Sequence, residues 1–385
     1  MSPKQFCVIV SYIGAIFIIF QMISYIHMWQ TVQTINLRFN ELFEKEILQN
    51  YNLSNGVIDD EMKKALHFLL LKYALDSKLK NDSRNVHPVL KHIILHDNGV
   101  NSKNNANPIF NGDYLLNSVN VCPDNLDIIV VVHTAPDHFV RRQNIRTTYG
   151  SSTMFLPVNI RTVFLLGRVS SKKLQNKILI EHDKYGDIIQ GNFNDAYHNL
   201  TYKAVMGLHW VSHYCSQVKY VVKVDDDLVF DMWRFLSMFH ARKHLISKSI
   251  YCYVRVKGQI HRKGKWEVPG EMFKGLESYP FQHCIGFTVI YSGDTIPAFY
   301  RASYKVPFFW LDDVYVTGML RIAVGGIHLN QHTRENLLRP TLGGLQCLQE
   351  QGRKCTLLSM GATDDTFNAT WQAIKRRSHN VLRKT

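Results

Sequence analysis

The middle of the chain alternates short apolar runs with stretches of helical periodicity. The apolar runs are rich in Val, Ile and Leu and have the length of buried strands. These runs occupy residues 127–133, 161–167, 187–190 and 220–224. The helical segments between them occupy residues 137–149, 171–184 and 197–214. Because strands and helices alternate, the pattern predicts an α/β fold with a mostly parallel, Rossmann-like sheet that has helices on both faces.

Three consecutive carboxylates, Asp225, Asp226 and Asp227, directly follow the last of these apolar runs. Ligands of such sheets bind at the carboxyl ends of the strands. Like charges about 4 Å apart repel one another by roughly 1 kcal/mol in water, and by more in a partly dry cleft. A hard divalent cation shared with substrate phosphates would relieve this repulsion, as Mg²⁺ and Mn²⁺ commonly do. An acidic turn after a strand is the alternative interpretation of the tripeptide alone.

A different apolar segment, Phe6–Ile26, lies near the amino terminus and carries no charged residue. At about 1.5 Å rise per residue, a helix of this length spans about 30 Å, the hydrocarbon thickness of a bilayer. A cleaved signal peptide is the alternative, but its apolar core of about 7–15 residues would precede a small-residue cleavage site. Because residues 21–26 offer no such site, we predict an uncleaved transmembrane signal anchor. Lys4 and the amino terminus place residues 1–5 on the cytoplasmic side.

Composition shifts divide the remainder of the chain into three segments. Residues 27–121 are assigned to a lumenal stem, whose second half is rich in Asn, Asp, His and Ser. Residues 122–360 hold the strand–helix alternation and are assigned to the main domain. Residues 361–385 are assigned to a basic, solvated tail because Lys375–Arg377 form a dense cluster of positive charge there.

The net positive charge of the chain bears on which classes of partner it could bind. The formal net charge is +14 over 385 residues, and 46% of the residues are hydrophobic, which suffices for a large core. The basic residues are scattered, and neither zinc-ligand spacing nor a nucleic-acid-binding module accompanies them. We therefore expect no nucleic-acid partner, since attraction to an anionic phosphate ligand or to a membrane surface accounts for the charge equally well.

Cysteines and sequons agree with an oxidising, lumenal compartment. One of the seven cysteines, Cys7, lies in the apolar amino-terminal segment. The six cysteines beyond it are an even set that could form up to three disulfides, and buried free thiols are the alternative. Their spacing leaves the pairing open. These cysteines are Cys122, Cys215, Cys252, Cys284, Cys347 and Cys355. Asn-x-Ser/Thr sequons for glycosylation occur at Asn52, Asn81, Asn199 and Asn368.

Five segments in order along the chain resemble the motifs of β-1,3-galactosyltransferase-type glycosyltransferases, and together they cover roughly residues 125–335. The segments are Arg141–Gly150, Tyr185–Lys203, Lys223–Asp227, Tyr279–Ser292 and Leu311–Val316. The resemblance implies a GT-A catalytic domain, a UDP-sugar donor, Mn²⁺, a glycan acceptor on a glycoprotein or glycolipid, and inversion at the anomeric carbon. It also implies a type II, single-pass protein of the Golgi membrane with a lumenal catalytic domain.

The resemblance also implies roles for the carboxylates. Asp225–Asp227 would hold the metal–pyrophosphate complex, with Asp227 and Asp225 as metal ligands and with Asp225 and Asp226 contributing to donor binding. Asp313 occupies the position of the general base, and Asp312 is the alternative. An N-cap pair that opens the following helix is the competing interpretation of these two residues. His332 falls where some members of the family complete the metal shell, although His328 is close enough in sequence to compete.

Four further residues are expected at the donor by the same resemblance. They are Arg142, Arg146, Tyr197 and Lys203. The two arginines are four residues apart and share a helix face, so they suit a phosphate or the uracil ring. A surface ion pair is the alternative for the arginines, a snorkelling surface position for the lysine, and a core position for the tyrosine.

Some positions depart from the family pattern, notably Tyr149 in place of Trp and Asp312 in place of Glu. These departures bear on the sugar pocket, but the resemblance still implies transfer of galactose to a 3-hydroxyl in β linkage, with transfer of N-acetylglucosamine or N-acetylgalactosamine as the alternative. The same metal and base would serve all three sugars. A further alternative is an inactive nucleotide-sugar-binding relative, which predicts that an aspartate is missing from one of the two clusters. Both clusters are complete.

Overall fold

The computed structural model describes residues 109–240, 247–331 and 343–382, all of which belong to one compact unit. Several predictions lie outside these described residues. They are the cytoplasmic segment 1–5, the anchor 6–26, most of the stem 27–121, the sequons Asn52 and Asn81, and His332. Among the described residues, none of the helices combines the length and the apolarity that crossing a bilayer requires.

The strands of the described residues form one large mixed sheet and one small ribbon. In chain order they are β1 (Tyr114–Leu116), β2 (Ile128–His133), β3 (Ile160–Arg168), β4 (Ile188–Asn194), β5 (Tyr220–Asp225), β6 (Leu228–Phe230), β7 (Ser249–Arg255), β8 (His283–Ser292), β9 (His328–Gln331) and β10 (Ser359–Gly361). The large sheet has the order β1-β4-β3-β2-β5-β8-β7-β9, and β10 pairs with β6. Strands β4, β3, β2 and β5 are parallel, whereas β8 runs antiparallel to both β5 and β7.

The periodicity predicts three of the helices, α1 to α3. The α-helices of the described residues, with the π-helical stretch beside the second aspartate cluster, are α1 (Phe139–Arg146), α2 (Lys172–Tyr185), α3 (Leu200–Tyr214), α4 (Met232–Phe235), α5 (Ile296–Ala302), the π-helical stretch (Val314–Leu320), α6 (Arg321–Val324), α7 (Gly344–Gln351) and α8 (Asp364–Leu382). Helix α2 shows how the local sequence determines where a helix begins and ends. Its first turn is capped by the Ser171 hydroxyl, which accepts a hydrogen bond from the Leu174 amide, and it ends at Gly186 with φ 63°.

Side-chain alternation along the strands builds a separate core on each face of the large sheet. On β2, Val130 and Val132 pack with Ile145 of α1 and Ile178 of α2. The intervening Val131 instead lines a cavity next to α3 on the opposite face. The predicted class, an α/β fold with a mostly parallel sheet and helices on both faces, is therefore confirmed, and it is the arrangement expected of the GT-A type.

Differences from the prediction lie mainly in the antiparallel half of the sheet and at the domain edges. The apolar pattern did not reveal β7, β8 and β9, because a mixed sheet depends on pairings between distant segments. Strand β1 precedes the predicted domain start at residue 122, and it pairs with β4. Next to it, the Asn117 side chain accepts a hydrogen bond of 2.9 Å from the indole of Trp210 on α3. The sheet therefore begins inside the segment assigned to the stem.

The assignment of residues 361–385 to a solvated tail is wrong for the described part of that segment. Helix α8 buries Phe367, Trp371 and Ile374, which lie at helical spacing and join the same core as β2. Arg377 is also buried, where its guanidinium pairs with Asp231 and donates to the Cys355 carbonyl at 2.6 Å. The dense charge of this segment concealed its apolar stripe.

Three disulfides connect the described cysteines, as the even cysteine count predicts. They are Cys122–Cys215, Cys252–Cys284 and Cys347–Cys355. The second of them joins the neighbouring strands β7 and β8, and it lies two residues before Gly286. The protein is therefore covalently crosslinked close to the strand segment that approaches the second aspartate cluster.

Because α8 is part of the core, truncating its central tryptophan should destabilise the protein. Trp371 is 3% exposed, and its ring stacks on Trp233 with centroids 5.1 Å apart. We expect Trp371→Ala to lower the free energy of unfolding by about 3–5 kcal/mol, the usual cost of such a cavity. Denaturant unfolding of the full-length protein in detergent would measure this. The exposed neighbour Gln372→Ala is the control and should change the stability by less than about 0.5 kcal/mol. Equal stabilities of the two variants would contradict the packing of α8.

Candidate functional site

The turn between β5 and β6 presents the three aspartates at the carboxyl edge of the parallel strands. Asp225 is the last residue of β5 and lies opposite His133, the last residue of β2. The Asp226 amide donates to the His133 carbonyl at 3.1 Å, and the Ala362 amide donates to the Asp227 carbonyl at 2.9 Å. The backbone of the triplet is thus held by β2 on one side and by the end of β10 on the other.

Asp226 is buried and serves as the internal anchor of this turn. One of its carboxylate oxygens accepts hydrogen bonds from the Thr134 hydroxyl at 2.6 Å and from the Ala135 amide at 3.3 Å, and it lies 2.7 Å from Nδ1 of His138. The other oxygen accepts from Arg141 at 3.1 Å. Burial alone would raise the pKa of Asp226, but these hydrogen bonds hold it below its ordinary value. Both oxygens of this carboxylate are engaged by the protein, so Asp226 positions the turn, and its contribution to donor binding remains a prediction.

Asp225 shares a buried lysine with the opposite side of the site. Lys223 lies two residues earlier on the same face of β5, and its ammonium group donates to the Asp225 carboxylate at 2.6 Å and to the Gly286 carbonyl. Desolvation raises the pKa of Asp225 to about 7; Lys223 opposes this rise, whereas Asp312 and Asp227 add to it. Burial would lower the pKa of Lys223, but the nearby carboxylates raise it above its ordinary value.

Asp227 is the exposed member of the triplet. Partial desolvation and the charge of Asp226 raise the pKa of Asp227, and Arg141 opposes this rise. Among the described residues, no set of three or more His, Cys, Asp or Glu side chains is already arranged as a metal site. The carboxylates of Asp225 and Asp227 nevertheless have accessible oxygens, and their ionised forms are disfavoured without a positive charge nearby. They suit a hard divalent cation that takes its other ligands from phosphate and water.

The second aspartate cluster lies at the start of the π-helical stretch. One Asp313 oxygen accepts a hydrogen bond of 2.7 Å from the Val314 amide, so Asp313 does cap this stretch. Strand β8 approaches it so closely that a Cβ atom on Gly286 would lie 3.1 Å from the Asp313 Cβ. Burial and the adjacent Asp312 raise the pKa of Asp313, an environment typical of a carboxylate that takes up a proton. Asp312 itself lies 3.7 Å from Nδ1 of His133.

A cavity of about 40 Å³ lies beneath these groups, between the sheet and α3. His133, Lys223, Asp312 and Asp313 line one end of it, and mainly apolar side chains of α3, β5 and β8 line the rest. These surroundings explain the desolvation of the polar groups. They also lower the pKa of His133 well below its ordinary value, with further contributions from Lys223 and Lys203. The neutral imidazole leaves Lys223 as the principal positive charge between the two clusters.

The two arginines expected at the donor instead build a buried ion-pair network. Arg142 is 0% exposed, and it donates to Glu181 at 2.7 Å and to the Ala135 carbonyl at 2.7 Å. Arg146 donates to both Asp187 oxygens, at 2.7 and 2.8 Å, and to Glu181 at 2.7 Å. Both guanidinium groups join α1 to α2 through Glu181, and that of Arg142 also supports the loop that anchors Asp226. Neither direct donor contact nor a surface ion pair describes them.

Lys203 and Tyr197 also differ from their expected environments. Lys203 is buried, and its ammonium group donates to the Thr134 carbonyl at 2.7 Å and to Asp195 at 3.0 Å. Burial lowers the pKa of Lys203, although Asp195 opposes the shift, so this lysine is neither a surface residue nor free to reach a ligand. Tyr197, by contrast, is 40% exposed and belongs to a cluster of aromatic side chains rather than to the core.

Of the two described sequons, Asn368 is exposed on α8, whereas the Asn199 amide already donates to the Asn194 carbonyl at 2.8 Å. Glycosylation at both positions, as at Asn52 and Asn81, remains a prediction. The metal role of His332 also remains a prediction, because this residue lies outside the described segments. Its sequence competitor, His328, is the first residue of β9.

Sequence reasoning missed the residues that position the aspartates. His133, Thr134, His138 and Arg141 hold the triplet, and Asp364 of α8 accepts a hydrogen bond of 2.8 Å from Arg141. One signal was available, because His133 is a polar residue at the end of the otherwise apolar run 127–133. The contact from α8 had no such signal, since 223 residues separate its two partners.

The site predicts a measurable cost for removing the lysine between its two clusters. Lys223 is 11% exposed, whereas its partner Asp225 is 34% exposed and therefore partly screened by solvent. We expect Lys223→Met to lower the free energy of unfolding by about 2–3 kcal/mol, because carboxylates would then remain uncompensated in the cleft. Adding Asp225→Asn should recover part of this loss, with a coupling energy of about 1 kcal/mol or more in a double-mutant cycle.

Lys219 supplies the control for this cycle, because its ammonium group pairs with Asp127 at 2.7 Å on the surface and is 63% exposed. Lys219→Met should cost about 0–1 kcal/mol. Purely additive effects of Lys223→Met and Asp225→Asn would show that the lysine does not compensate this carboxylate.

Sequence comparison relates the chain to known proteins. A family model described as galactosyltransferase matches residues 140–332, half of the chain. Beta-1,3-galactosyltransferase 1 from Homo sapiens and from Mus musculus is 33% identical to the chain over 227 residues, which are 58% of the chain and 68% of the relative. Beta-1,3-galactosyltransferase 5 from Homo sapiens is 29% identical over 255 residues, 64% of the chain and 78% of the relative.

Solved structures give weaker matches. The apo structure of the WbbM bifunctional glycosyltransferase has a TM-score of 0.36 at 10% identity, covering 68% of the chain and 52% of that protein. A glycosyltransferase involved in the glycosylation of the major capsid of PBCV-1 has a TM-score of 0.33 at 5% identity, covering 65% of the chain and 99% of that protein. Both aspartate clusters lie within the residues that the family model matches, and the chain belongs to the galactosyltransferase family.

Proposed function

We propose that this protein is an inverting glycosyltransferase that moves a hexose from a UDP-sugar to the 3-hydroxyl of an acceptor glycan in β linkage. The observation that carries the proposal is the pair of carboxylate clusters at one edge of the sheet, where the buried ammonium group of Lys223 lies in the field of both. One cluster offers an accessible carboxylate, Asp227, and the other offers Asp313, whose pKa is raised. Displacement of a nucleotide diphosphate needs both a cation-binding group and a proton acceptor.

The first cluster would bind the donor. Asp227 and Asp225 would hold Mn²⁺, with His332 as a proposed further ligand, and the bound ion would neutralise the departing pyrophosphate. Asp226 would contribute by fixing the turn, because its own oxygens are committed to Thr134, His138 and Arg141. The protein thus orients the cation-binding carboxylates from behind and leaves their outer side to the donor.

The second cluster would act on the acceptor. Asp313 would take the proton of the acceptor hydroxyl while that oxygen forms a bond to the anomeric carbon and the bond from this carbon to UDP breaks. A single displacement inverts the anomeric configuration, and UDP carries away the bonding electron pair. A base with a raised pKa lies closer to the working pH, and a positioned base contributes roughly 10²–10⁴-fold. Asp312, next to His133, is the alternative base.

Galactose is the donor sugar we propose, because the relatives that match the chain are named beta-1,3-galactosyltransferases. N-acetylglucosamine and N-acetylgalactosamine need the same two clusters and are the second choice. An inactive nucleotide-sugar-binding relative is disfavoured because every aspartate of both clusters is present. Measuring UDP release from UDP-galactose, UDP-N-acetylglucosamine and UDP-N-acetylgalactosamine by the full-length protein would decide among these functions.

We also propose a type II orientation in the Golgi membrane. The uncharged segment Phe6–Ile26 supports an anchor, and the three disulfides are typical of a protein that folds in an oxidising compartment. Digestion of intact vesicles with protease would test the orientation, since a lumenal domain is protected. Cleavage of the domain beyond residue 122 in sealed vesicles would contradict it.

Removing the charge of the accessible carboxylate should separate metal binding from folding. We expect Asp227→Asn to weaken Mn²⁺-dependent UDP binding and to abolish transfer, because one ligand charge is lost while the side-chain shape is kept. Chelation of the wild-type protein should have the same effect on transfer. Calorimetric titration with UDP and Mn²⁺, together with the initial rate of UDP release, would measure both quantities. Full activity in excess chelator would refute the metal assignment.

Replacing the second-cluster base should leave donor binding intact. We expect Asp313→Asn to lower the transfer rate by about 10²-fold or more, the general-base scale, with UDP affinity close to that of the wild type. Asp312→Asn is the matched control and should have the smaller effect. Loss of UDP binding in Asp313→Asn would instead move this residue into the donor site.

The pH profile provides a second readout for the base. Because burial and Asp312 raise the pKa of Asp313, the transfer rate should fall as the pH is lowered through a value well above about 3.9, the ordinary pKa of an aspartate. The rate should fall toward low pH because only the deprotonated carboxylate accepts the proton. If the rate of Asp313→Asn falls over the same pH range as that of the wild type, the titration belongs to another group.

A further inference from the structure

Three aromatic side chains from distant parts of the chain meet on the surface and form what we call the aromatic platform. Its members are Tyr197, just before α3, Trp266, in the connection between β7 and β8, and Trp310, just before the second aspartate cluster. The indole of Trp266 donates to the Tyr197 hydroxyl at 2.9 Å, and the Tyr197 and Trp310 ring centroids are 6.0 Å apart. Trp266 is 49% exposed and Tyr197 is 40% exposed.

The platform is held in place rather than loosely exposed. The indole of Trp310 donates to the Glu267 carbonyl at 3.1 Å, which ties the segment before Asp312 to the β7–β8 connection. The Lys265 ammonium lies 4.6 Å from the centre of the Tyr197 ring. In the same connection, Arg262 donates to backbone carbonyls over a span of several residues. These carbonyls belong to Val268, Pro269, Met272 and Phe273.

Exposed aromatic area of this kind has no role in the core of the domain. Clustered apolar surface that the fold keeps accessible commonly marks a binding site. Tyr and Trp suit a ligand with both apolar and polar groups, because a flat ring lies beside an N–H or O–H group. A pyranose ring is such a ligand, since its axial C–H bonds form a flat apolar face surrounded by hydroxyl groups.

The position of the platform decides which sugar it would contact. Trp310 precedes Asp312 by two residues, a stretch of chain that spans at most about 7 Å. The platform is therefore continuous with the segment that carries the candidate base, whereas the donor pyrophosphate is assigned to the Asp225–Asp227 turn. A ring stacked on the platform would belong to the molecule whose hydroxyl reaches Asp313.

We infer that the aromatic platform is a subsite for the acceptor, and that it stacks the sugar next to the one that is glycosylated. This inference rests on the proposed function and adds a substrate class to it: the preferred acceptor is an oligosaccharide of at least two pyranose units rather than a monosaccharide or a bare hydroxyl side chain. Trp266, the most exposed member, supplies the principal face.

The test uses the full-length protein in detergent with UDP and Mn²⁺, applied to an array of neutral oligosaccharides and the matching monosaccharides. The wild type should bind at least one oligosaccharide. Trp266→Ala should weaken this binding by about tenfold or more, because the variant loses an aromatic contact and the surface area that this contact buries. Trp266→Phe should restore most of it. In transfer assays on that oligosaccharide, the acceptor KM of Trp266→Ala should rise, while the rate on the matching monosaccharide and the affinity for UDP stay unchanged.

Phe308 provides the matched control, because it is an exposed aromatic residue of the same segment. It is 38% exposed, and its ring packs on Tyr202 with centroids 4.9 Å apart, outside the platform. Phe308→Ala should bind the oligosaccharide as the wild type does. An equal loss in Phe308→Ala would indicate a general disturbance of the segment and would overturn the inference.

The remaining outcomes separate the inference from the proposed function. Unchanged oligosaccharide binding by Trp266→Ala, or a parallel loss of UDP affinity, would overturn the acceptor subsite while transfer by the wild type still stands. Binding of the wild type to no glycan on the array, despite release of UDP from a donor, would likewise overturn it, and would direct attention to an apolar protein segment as the occupant. Failure of the wild type to bind UDP or to release it from any donor would refute the proposed function itself.

Discussion

The buried ammonium group of Lys223 is the interaction on which the rest of the site depends. It donates to the carboxylate of Asp225, at the end of β5, and to the carbonyl of Gly286 on the neighbouring strand β8. Carboxylates from two distant segments surround it, and a desolvated cluster of one sign would be strongly unfavourable without a positive charge. A single positive charge does not balance all of them. Burial raises the pKa values of Asp225 and Asp313, and the neighbouring carboxylates add to both rises.

Support for the exposed carboxylates comes from a layer of engaged polar groups behind them. Asp226 is held by Thr134, His138 and Arg141, while Arg142 braces the loop that carries Thr134 through its bonds to Glu181 and to the Ala135 carbonyl. Arg141 continues the chain of contacts to Asp364 at the start of α8. A helix at the end of the described chain thus contributes to the position of a turn formed more than 100 residues earlier, because a buried carboxylate needs all of its hydrogen bonds satisfied.

Local pattern predicted the parallel half of the fold closely. The run at 220–224 became β5, and the periodic segment at 171–184 became α2, because apolar periodicity and end caps act within a few residues. The antiparallel strand β8 escaped prediction, since its identity depends on pairing with β5 and β7. The same reasoning did not foresee that Arg142 and Lys203 are buried, because their partners lie on other elements or loops.

By itself, the sequence determined the strand–helix alternation, the two aspartate clusters and the family, because each of these is written in contiguous residues. Only the tertiary structure decided which charged groups face a ligand. Arg142, Lys203 and Asp226 have the chemistry of a phosphate or metal site, yet each is paired with an opposite charge from another element or loop. Tyr197, Trp266 and Trp310, which carry no common motif, meet at the surface instead. The physical reason is that burial and hydrogen-bond partners, not residue type, determine whether a side chain stabilises the protein or remains available for binding.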